Sequence, residues 1–331
     1  MSAIRGVRIS GTGSYLPERV VTNHDLSQTL DTSDEWIRTR TGIGERRWAA
    51  PDQASSDLAL NAARPALEAA GVTPADVDLI VCATMTPDHI IPSTAALIQR
   101  GLGAENAGGF DLGSACSGFV LAFNTASNYV RAGAAKCALV IAAEKMSTMM
   151  DMEDRSTAVI FADGAGAVVL QPTEGDLGQS DLLASRFGLR GDDEVLMIPA
   201  GGSRNPATAE TVANRDHYIK MKGRETFKFA VKTFAGLIAD TCADAGVTPD
   251  DLTLVVPHQV NQRILDAACQ RAGVAAERCY VNIERVGNTS AASVAIALDE
   301  VVRQGRIERG QLLLMVAFGA GLSWGSALVR Y

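Results

Sequence analysis

Several things are scarce in this 331-residue chain, and each absence narrows its identity. Proline is sparse, at 11 positions, and aromatics reach only 5%. Hydrophobic residues make up 47% and charged residues 21%, which excludes intrinsic disorder and a collagen-like repeat. The six cysteines (82, 116, 137, 242, 269 and 279) form no CxxC pair and no CxxC…His spacing. A disulfide scaffold and a cysteine metal site are therefore not expected, and a reducing compartment is. Long apolar runs are missing. Cys137 to Ala143 is typical of the longest, far short of the roughly 18 residues that would span a bilayer. Residues 1–10 contain no continuous apolar stretch, so no signal peptide is expected and the chain reads as cytoplasmic. An excess of positive charge is missing as well. Thirty Lys and Arg stand against 38 Asp and Glu, a net charge of −8. That argues against a nucleic-acid binder but leaves room for an anionic ligand held at a local basic patch.

What is present is alternation. Short apolar runs, Leu79–Cys82, Leu139–Ala143, Val168–Leu170, Leu254–Val256 and Leu312–Ala317, are separated by Ala-rich stretches with helical periodicity. That pattern predicts an α/β fold whose strands are covered on both faces. A repeat underlies it. Ala70-Gly71-Val72-Thr73-Pro74 recurs as Ala245-Gly246-Val247-Thr248-Pro249, an offset of 245 − 70 = 175. At the same offset Leu139 falls on Leu314, and Ser114-Ala115-Cys116 on Thr289-Ser290-Ala291. Two similar halves are expected, residues 1–175 and 176–331, joined near the polar stretch 171–180. If they pack about a pseudo-twofold axis, their equivalent helix starts come together.

That arrangement selects three side chains. Cys116 sits among small residues in Gly113-Ser114-Ala115-Cys116-Ser117-Gly118, read as a strand, a tight turn and the first turn of a helix. Free N–H groups and the helix dipole favour a thiolate at such a place. A buried structural cysteine is the competing reading, and it is preferred for the other five. His258 follows the strand-like Leu254-Val255-Val256-Pro257, at a loop position suited to chemistry. Asn288, in Gly287-Asn288-Thr289-Ser290, serves equally well as a turn or helix-cap residue. A basic stripe is also visible. Arg224, Lys228 and Lys232 recur at i, i+4 and i+8, with Lys220 and Lys222 just before them. A solvated helix face explains such a stripe as readily as an anion site does.

Taken together, the motifs resemble the β-ketoacyl-acyl carrier protein synthase III family of condensing enzymes. The likeness runs almost end to end. It rests on Gly11-Thr12-Gly13-Ser14-Tyr15-Leu16-Pro17, Asp34-Glu35-Trp36-Ile37, Thr39-Arg40-Thr41-Gly42, Ala115-Cys116-Ser117-Gly118, Asp163-Gly164-Ala165-Gly166, Val256-Pro257-His258-Gln259, Gly287 to Ser293 and Trp324-Gly325-Ser326.

The resemblance implies a thiolase-like five-layered αβαβα sandwich of two duplicated halves, a homodimer, and a Cys116-His258-Asn288 active site. It implies decarboxylative condensation of an acyl-CoA starter with malonyl-acyl carrier protein, through an acyl group carried on Cys116. It implies no cofactor and no metal, because the CoA thioester and the carrier-bound malonyl group are substrates. Backbone N–H groups of Cys116 and Ala320 match an oxyanion hole. Trp36 and Arg155 match positions that sandwich the adenine of CoA, Arg40 a phosphate contact, Thr32 a neighbour of the adenine and Phe227 the pantetheine tunnel. Lys228 and Arg263 match carrier-protein docking positions. Ile91 matches the residue that closes the partner subunit's acyl pocket, where some acetyl-specific members carry Phe. Arg224 stands where some members have Asn on the tunnel wall. Glu144-Lys145 receives no role beyond an ion pair near the core. A related enzyme that primes polyketide synthesis or transfers the acyl group elsewhere is the principal alternative. A dinucleotide-binding oxidoreductase is disfavoured, because Gly11-Thr12-Gly13 and Gly164-Ala165-Gly166 both fail to complete GxGxxG, with Leu16 and Val169 at the last glycine position.

Overall fold

A computed structural model describes residues 6–173 and 182–331. The expected join between residues 175 and 176 lies outside the described residues. Among the described residues nine strands form the two main sheets. The first contains β1 (Gly6–Tyr15), β2 (Leu79–Ala83), β3 (Gly108–Leu112), β4 (Ala138–Lys145) and β5 (Asp163–Thr173), in the order β1-β5-β4-β2-β3. The second contains β6 (Leu182–Asp192), β7 (Leu254–Pro257), β8 (Leu312–Gly319) and β9 (Gly321–Arg330), in the order β7-β8-β9-β6. Seven helices of eight residues or more accompany them: α1 (Asp34–Thr41), α2 (Ser55–Ala70), α3 (Thr94–Leu102), α4 (Gly118–Arg131), α5 (Gly223–Asp244), α6 (Gln262–Ala272) and α7 (Ala292–Arg303).

The layers follow from what each helix covers. Helices α2 and α3 lie on the outer face of the first sheet, and α5 and α6 on the outer face of the second. Between the sheets lie α4 and α7, each touching both. This is an αβαβα sandwich. Strands β2, β7 and β8 are buried along their whole length, as strands covered on both faces must be. The central helices sit so close that only glycine fits beneath them. A Cβ on Gly166 of β5 would lie 2.5 Å from the Ala295 Cβ of α7. Gly11 and Gly13 serve similar close packing against α2, where a Cβ would meet the carbonyls of Ala66 and Ala62 at 2.3 Å. That is a packing role, with no bearing on a dinucleotide.

The repeat seen in the sequence folds the same way twice. Gly71 and Gly246 both end a helix with φ near +67°, at 67° and 68°. Thr73 and Thr248 then cap short helical turns, each N–H donating to a carboxylate (Asp76, Asp251) at 2.7 Å. The strands that follow pair in parallel with the same register. Leu79 lies opposite Ala138, and Leu254 opposite Leu313, so both partners differ by 175. Two non-glycine residues with positive φ, Ala115 (44°) and Ser290 (50°), also differ by 175. Each introduces one of the two central helices. A Cβ on Gly118 would lie 3.2 Å from the Ala83 Cβ and 3.3 Å from the Ala291 Cβ. The equivalent helix starts therefore meet, as expected.

Candidate functional site

Strand β3 ends at Leu112, and the chain turns through Gly113 and Ser114 into a short 3₁₀ turn, Ala115–Ser117, before α4 begins at Gly118. Cys116 is thus placed one turn ahead of the α-helix, not in its first turn as the sequence suggested. It is buried, and Gly319 at the end of β8 packs against its backbone. A Cβ on Gly319 would stand 2.6 Å from the Cys116 nitrogen. Burial pushes the Cys116 thiol up to about 12, partly offset by its hydrogen bond to Ser290. The expected thiolate at a helix head is therefore corrected. Desolvation outweighs the end-of-helix field here, and the resting group is a thiol. Its Sγ–H donates to Ser290 Oγ at 3.7 Å.

His258 follows β7 directly, and its N–H donates to the Val316 carbonyl of β8 at 2.8 Å. The ring is fully buried, which drives its pKa down to about 3 and keeps it neutral. Ser293 Oγ lies 2.6 Å from Nδ1 and accepts the Gln259 N–H at 3.3 Å. Ser293 thus holds the ring at Nδ1, and in the tautomer in which its hydroxyl donates there the ring proton sits on Nε2. Asn288 is held by two backbone bonds to the first half of the chain. Its N–H donates to the Ile160 carbonyl at 3.0 Å, and its carbonyl accepts from the Ala162 N–H at 2.9 Å. The Ser290 N–H donates to Asn288 Oδ1 at 2.9 Å, which fixes the carboxamide with Oδ1 occupied.

Cys116, His258 and Asn288 line a single cavity of about 130 Å³, together with Phe227, Phe318 and Gly319. A second cavity of about 490 Å³ reaches Cys116 from another side, past Ala320, Ser290, Met85, Met149 and Leu189. The sulfur is therefore the point where a polar pocket with two hydrogen-bond donors meets a roomier apolar one. A neutral imidazole and an oriented carboxamide next to a thiol are suited to holding negative charge on a substrate oxygen, not to abstracting a proton.

The other expected residues fall as follows. Trp36 on α1 has the Arg40 guanidinium 4.4 Å from its ring centroid and that of Arg155 at 5.1 Å. Arg155 also pairs with Asp31 at 2.9 Å. Arg155 thus rests directly on Trp36, and a base entering between them must part that contact. Thr32 lies nearby with its hydroxyl buried and unpartnered. Phe227 lines the smaller cavity, whereas Arg224 is exposed and absent from its wall. Arg224, Lys228, Lys232 and Arg263 are exposed, and none of them forms an ion pair among the described residues. Lys220 and Lys222 differ, being paired with Asp151 and Glu194. Ile91 is 86% exposed and Ile90 is 90% exposed.

The expected Glu144–Lys145 ion pair is not formed. Adjacent strand residues point to opposite faces, and Lys145 Nζ donates to the carbonyls of Ala50, Pro51 and Gln53. Glu144 turns inward. Its Oε2 accepts from Met85 N at 3.0 Å, Thr86 Oγ1 at 2.9 Å and Thr84 Oγ1 at 3.4 Å. Sequence reasoning also passed over Ser290 and Ser293, which orient Asn288 and His258. Their only signal was membership of the polar run 287–293.

Residues 110–191 match the family model described as 3-oxoacyl-[acyl-carrier-protein] synthase III, and residues 242–331 match its C-terminal model. The chain is 51% identical over 329 residues to the beta-ketoacyl-[acyl-carrier-protein] synthase III of Symbiobacterium thermophilum, covering 99% of each. It superposes on the crystal structure of 3-oxoacyl-[acyl-carrier-protein] synthase III from Aquifex aeolicus VF5 with a TM-score of 0.90 and 46% identity, covering 98% of this chain and 100% of that one. The priming beta-ketosynthase from the R1128 polyketide biosynthetic pathway is similar at a TM-score of 0.91 and 38% identity, over 99% and 97% of the two chains.

Proposed function

We propose, from the premise that the chain belongs to the 3-oxoacyl-[acyl-carrier-protein] synthase III family, that Cys116, His258 and Asn288 carry its condensing reaction. The enzyme is an acyltransferase that joins an acyl-CoA starter to malonyl-acyl carrier protein and initiates fatty-acid synthesis. In the first half-reaction the Cys116 sulfur attacks the starter thioester carbonyl and CoA leaves as its thiolate. A thioester exchanges readily with another thiol, so the acyl group can be taken and later given up. The backbone N–H groups of Cys116 and Ala320 hold the oxyanion of the tetrahedral intermediate.

In the second half-reaction the malonyl C–CO₂ bond breaks, and the electron pair moves onto the thioester oxygen as an enolate. His258 Nε2–H and the Asn288 carboxamide N–H donate to that oxygen. The observation that carries this reading is the pair of fixed orientations. Ser293 occupies Nδ1 and the Ser290 N–H occupies Oδ1, so Nε2 of the ring and the N–H₂ of the carboxamide are left for the cavity. A neutral histidine suits this role, since it stabilises charge without surrendering a proton. The enolate carbon then attacks the acyl-Cys116 carbonyl, and the Cys116 thiolate is expelled. Nothing in this sequence calls for a cofactor or a metal.

The anionic substrates meet the exposed cations. CoA is read as entering past Trp36, Arg40, Arg155 and Thr32, with its pantetheine arm along Phe227. Lys228 and Arg263 face an acidic carrier protein. A homodimer is supported by apolar exposure, because Ile90, Ile91, Phe187 (79% exposed) and Leu189 (70% exposed) lie bare. Among the described residues the outer edge of β3 is likewise unpaired in its sheet, a template for a second copy. Ile91 of one subunit would then close the larger cavity of the other. Among the described residues no helix is long and apolar enough to cross a membrane, consistent with a cytoplasmic enzyme. The test is a panel of acyl-CoA starters with malonyl-acyl carrier protein, scored by the mass added at Cys116 and by CO₂ release. Acylation of Cys116 without CO₂ release would favour a transferase that primes a different acceptor.

A further inference from the structure

Among the described residues the largest fully buried side chain is a cation, Arg46. It lies opposite Val21 in a two-stranded ribbon formed by Arg19–Thr22 and Glu45–Trp48. Its Nη1 donates to Asn23 Oδ1 at 2.7 Å and to the Val21 carbonyl at 3.4 Å, and its Nη2 donates to the Val159 carbonyl at 2.8 Å. Nε has no partner, and among the described residues the guanidinium forms no ion pair. The nearby acids are engaged elsewhere, Asp34 with Asn23 and Arg38, and Glu45 with Arg47. Burial draws Arg46 down to about 10, which leaves it charged at neutral pH.

A buried cation without a carboxylate is a poor way to fill a core, where an apolar side chain of similar volume packs at lower cost. Here Val21 and Val159, whose carbonyls it binds, belong to an apolar cluster with Ile37 and Ile283. What the guanidinium adds is reach, because one planar fork ties the ribbon to the segment that begins at Val159. Asn288 hangs on that same segment. Its N–H donates to the carbonyl of Ile160, the residue after Val159, and its carbonyl accepts from the Ala162 N–H. The stem of Arg46 meets the other neighbour of Asn288. A Cβ on Gly287, which holds φ at +71°, would lie 3.1 Å from the Arg46 Cβ. Arg46 therefore bears on Asn288 twice, once through its guanidinium and once through its stem.

We propose that Arg46 is a positioning residue for malonyl decarboxylation, which aims the Asn288 carboxamide at the enolate oxygen by pinning the segment from Val159 to Ala162. This deepens the condensing-enzyme reading and rests on Asn288 being an enolate donor. Arg46 lines neither cavity at Cys116. It touches no substrate and works only through Asn288. Attack of Cys116 on the starter thioester makes no use of Asn288, so the two half-reactions should respond differently to the loss of Arg46.

The experiment separates those half-reactions in the full-length enzyme. Cys116 is loaded from an acyl N-acetylcysteamine thioester, which lacks the adenine that the Trp36 region would hold, and loading is followed by intact mass. CO₂ release is then measured with malonyl-acyl carrier protein. Arg46→Met is expected to load at the wild-type rate and to keep the KM for malonyl-acyl carrier protein, while kcat for CO₂ release falls about ten- to a hundredfold. Arg46→Lys, which retains the charge and one donor group, should recover part of that loss. In an Asn288→Ala background Arg46→Met should cost nothing further, because its effect passes through Asn288. Normal CO₂ release by Arg46→Met, matched losses in loading and CO₂ release, or additive losses in the double variant overturn the proposal. Should Arg46→Met fail to fold, Arg46→Lys decides. Its ammonium reaches one segment and not both, so CO₂ release should fall severalfold with loading unchanged; a wild-type rate, or equal losses in both steps, overturns the proposal equally. Normal CO₂ release by Asn288→Ala alone would instead refute the enolate reading itself, whatever Arg46 does.

Discussion

Replacing Glu144 by Gln should stabilise the protein, and only above mildly acidic pH. The carboxyl titrates near 4.5 when solvated and is raised to about 7 by burial in the native state, against the opposing pull of Met85, Thr86, Ser290 and Ala291. The folded chain therefore holds a proton, between those values, that the unfolded chain has released. A native value above the unfolded one means that the group's contribution is full below about 4.5 and is lost as pH rises towards 7. The loss is about 7 − 4.5 = 2.5 pH units, and at about 1.4 kcal/mol per unit it amounts to ~3 kcal/mol. Glutamine is close in shape, offers one carbonyl oxygen to the donors of Thr84, Met85 and Thr86, and carries no charge at any pH. Urea unfolding of wild type and Glu144→Gln, at one protein concentration, should show near-equal stability around pH 4.5 and a difference growing to about 3 kcal/mol in favour of Gln by pH 8. Asp163, also raised by burial, cancels in the comparison. A difference that stays flat with pH, or one that favours wild type at pH 8, would show that Glu144 is not a buried, strained charge.

Asn288→Ala and His258→Ala should each retain acylation of Cys116 while malonyl decarboxylation falls by on the order of a hundredfold, about 3 kcal/mol per donor; normal CO₂ release would remove them from the enolate site. Gly319→Ala should displace Cys116, since the added Cβ meets its backbone nitrogen at 2.6 Å, and acyl mass at Cys116 in stopped reactions should fall while far-UV circular dichroism stays native. Lys228→Glu and Arg263→Glu should raise the KM for malonyl-acyl carrier protein and flatten its salt dependence, leaving acyl-CoA kinetics unaltered. Ile91→Phe should narrow the starter panel towards acetyl-CoA, read as the ratio of kcat/KM for short and longer acyl-CoA.

The layered fold was legible because its signals are local and repeated. Alternation marked the strands, and the Gly-Val-Thr-Pro turn recurred 175 residues later with the same caps and the same strand register. His258 was legible as a residue placed just past a strand end. The protonation state of Cys116 was not, because the helix-dipole argument is visible in a sequence whereas the burial that overrides it arises from β8 and Ser290, more than 170 residues away. Ser290 and Ser293 escaped notice for a similar reason. A serine at a helix start looks like a cap until its partner, here a thiol or an imidazole, arrives from another segment. The Glu144–Lys145 reading failed on strand geometry, which sends neighbours to opposite faces.

The matched left-handed turns at Ala115 and Ser290 have an evolutionary corollary. Counterparts across the pseudosymmetry carry different chemistry: Cys116 corresponds to Ala291, Asn288 to Gly113 and His258 to Ala83, all at the 175-residue spacing. Each twin has kept the scaffold that presents a reactive group, but only one twin presents it at each place. Placing a sulfur at position 291 would not create a second centre, because the Ala291 methyl already abuts the space beside Gly118. The two siblings thus share one asymmetric reaction chamber at their seam, with the backbone geometry present twice and the reactive groups once.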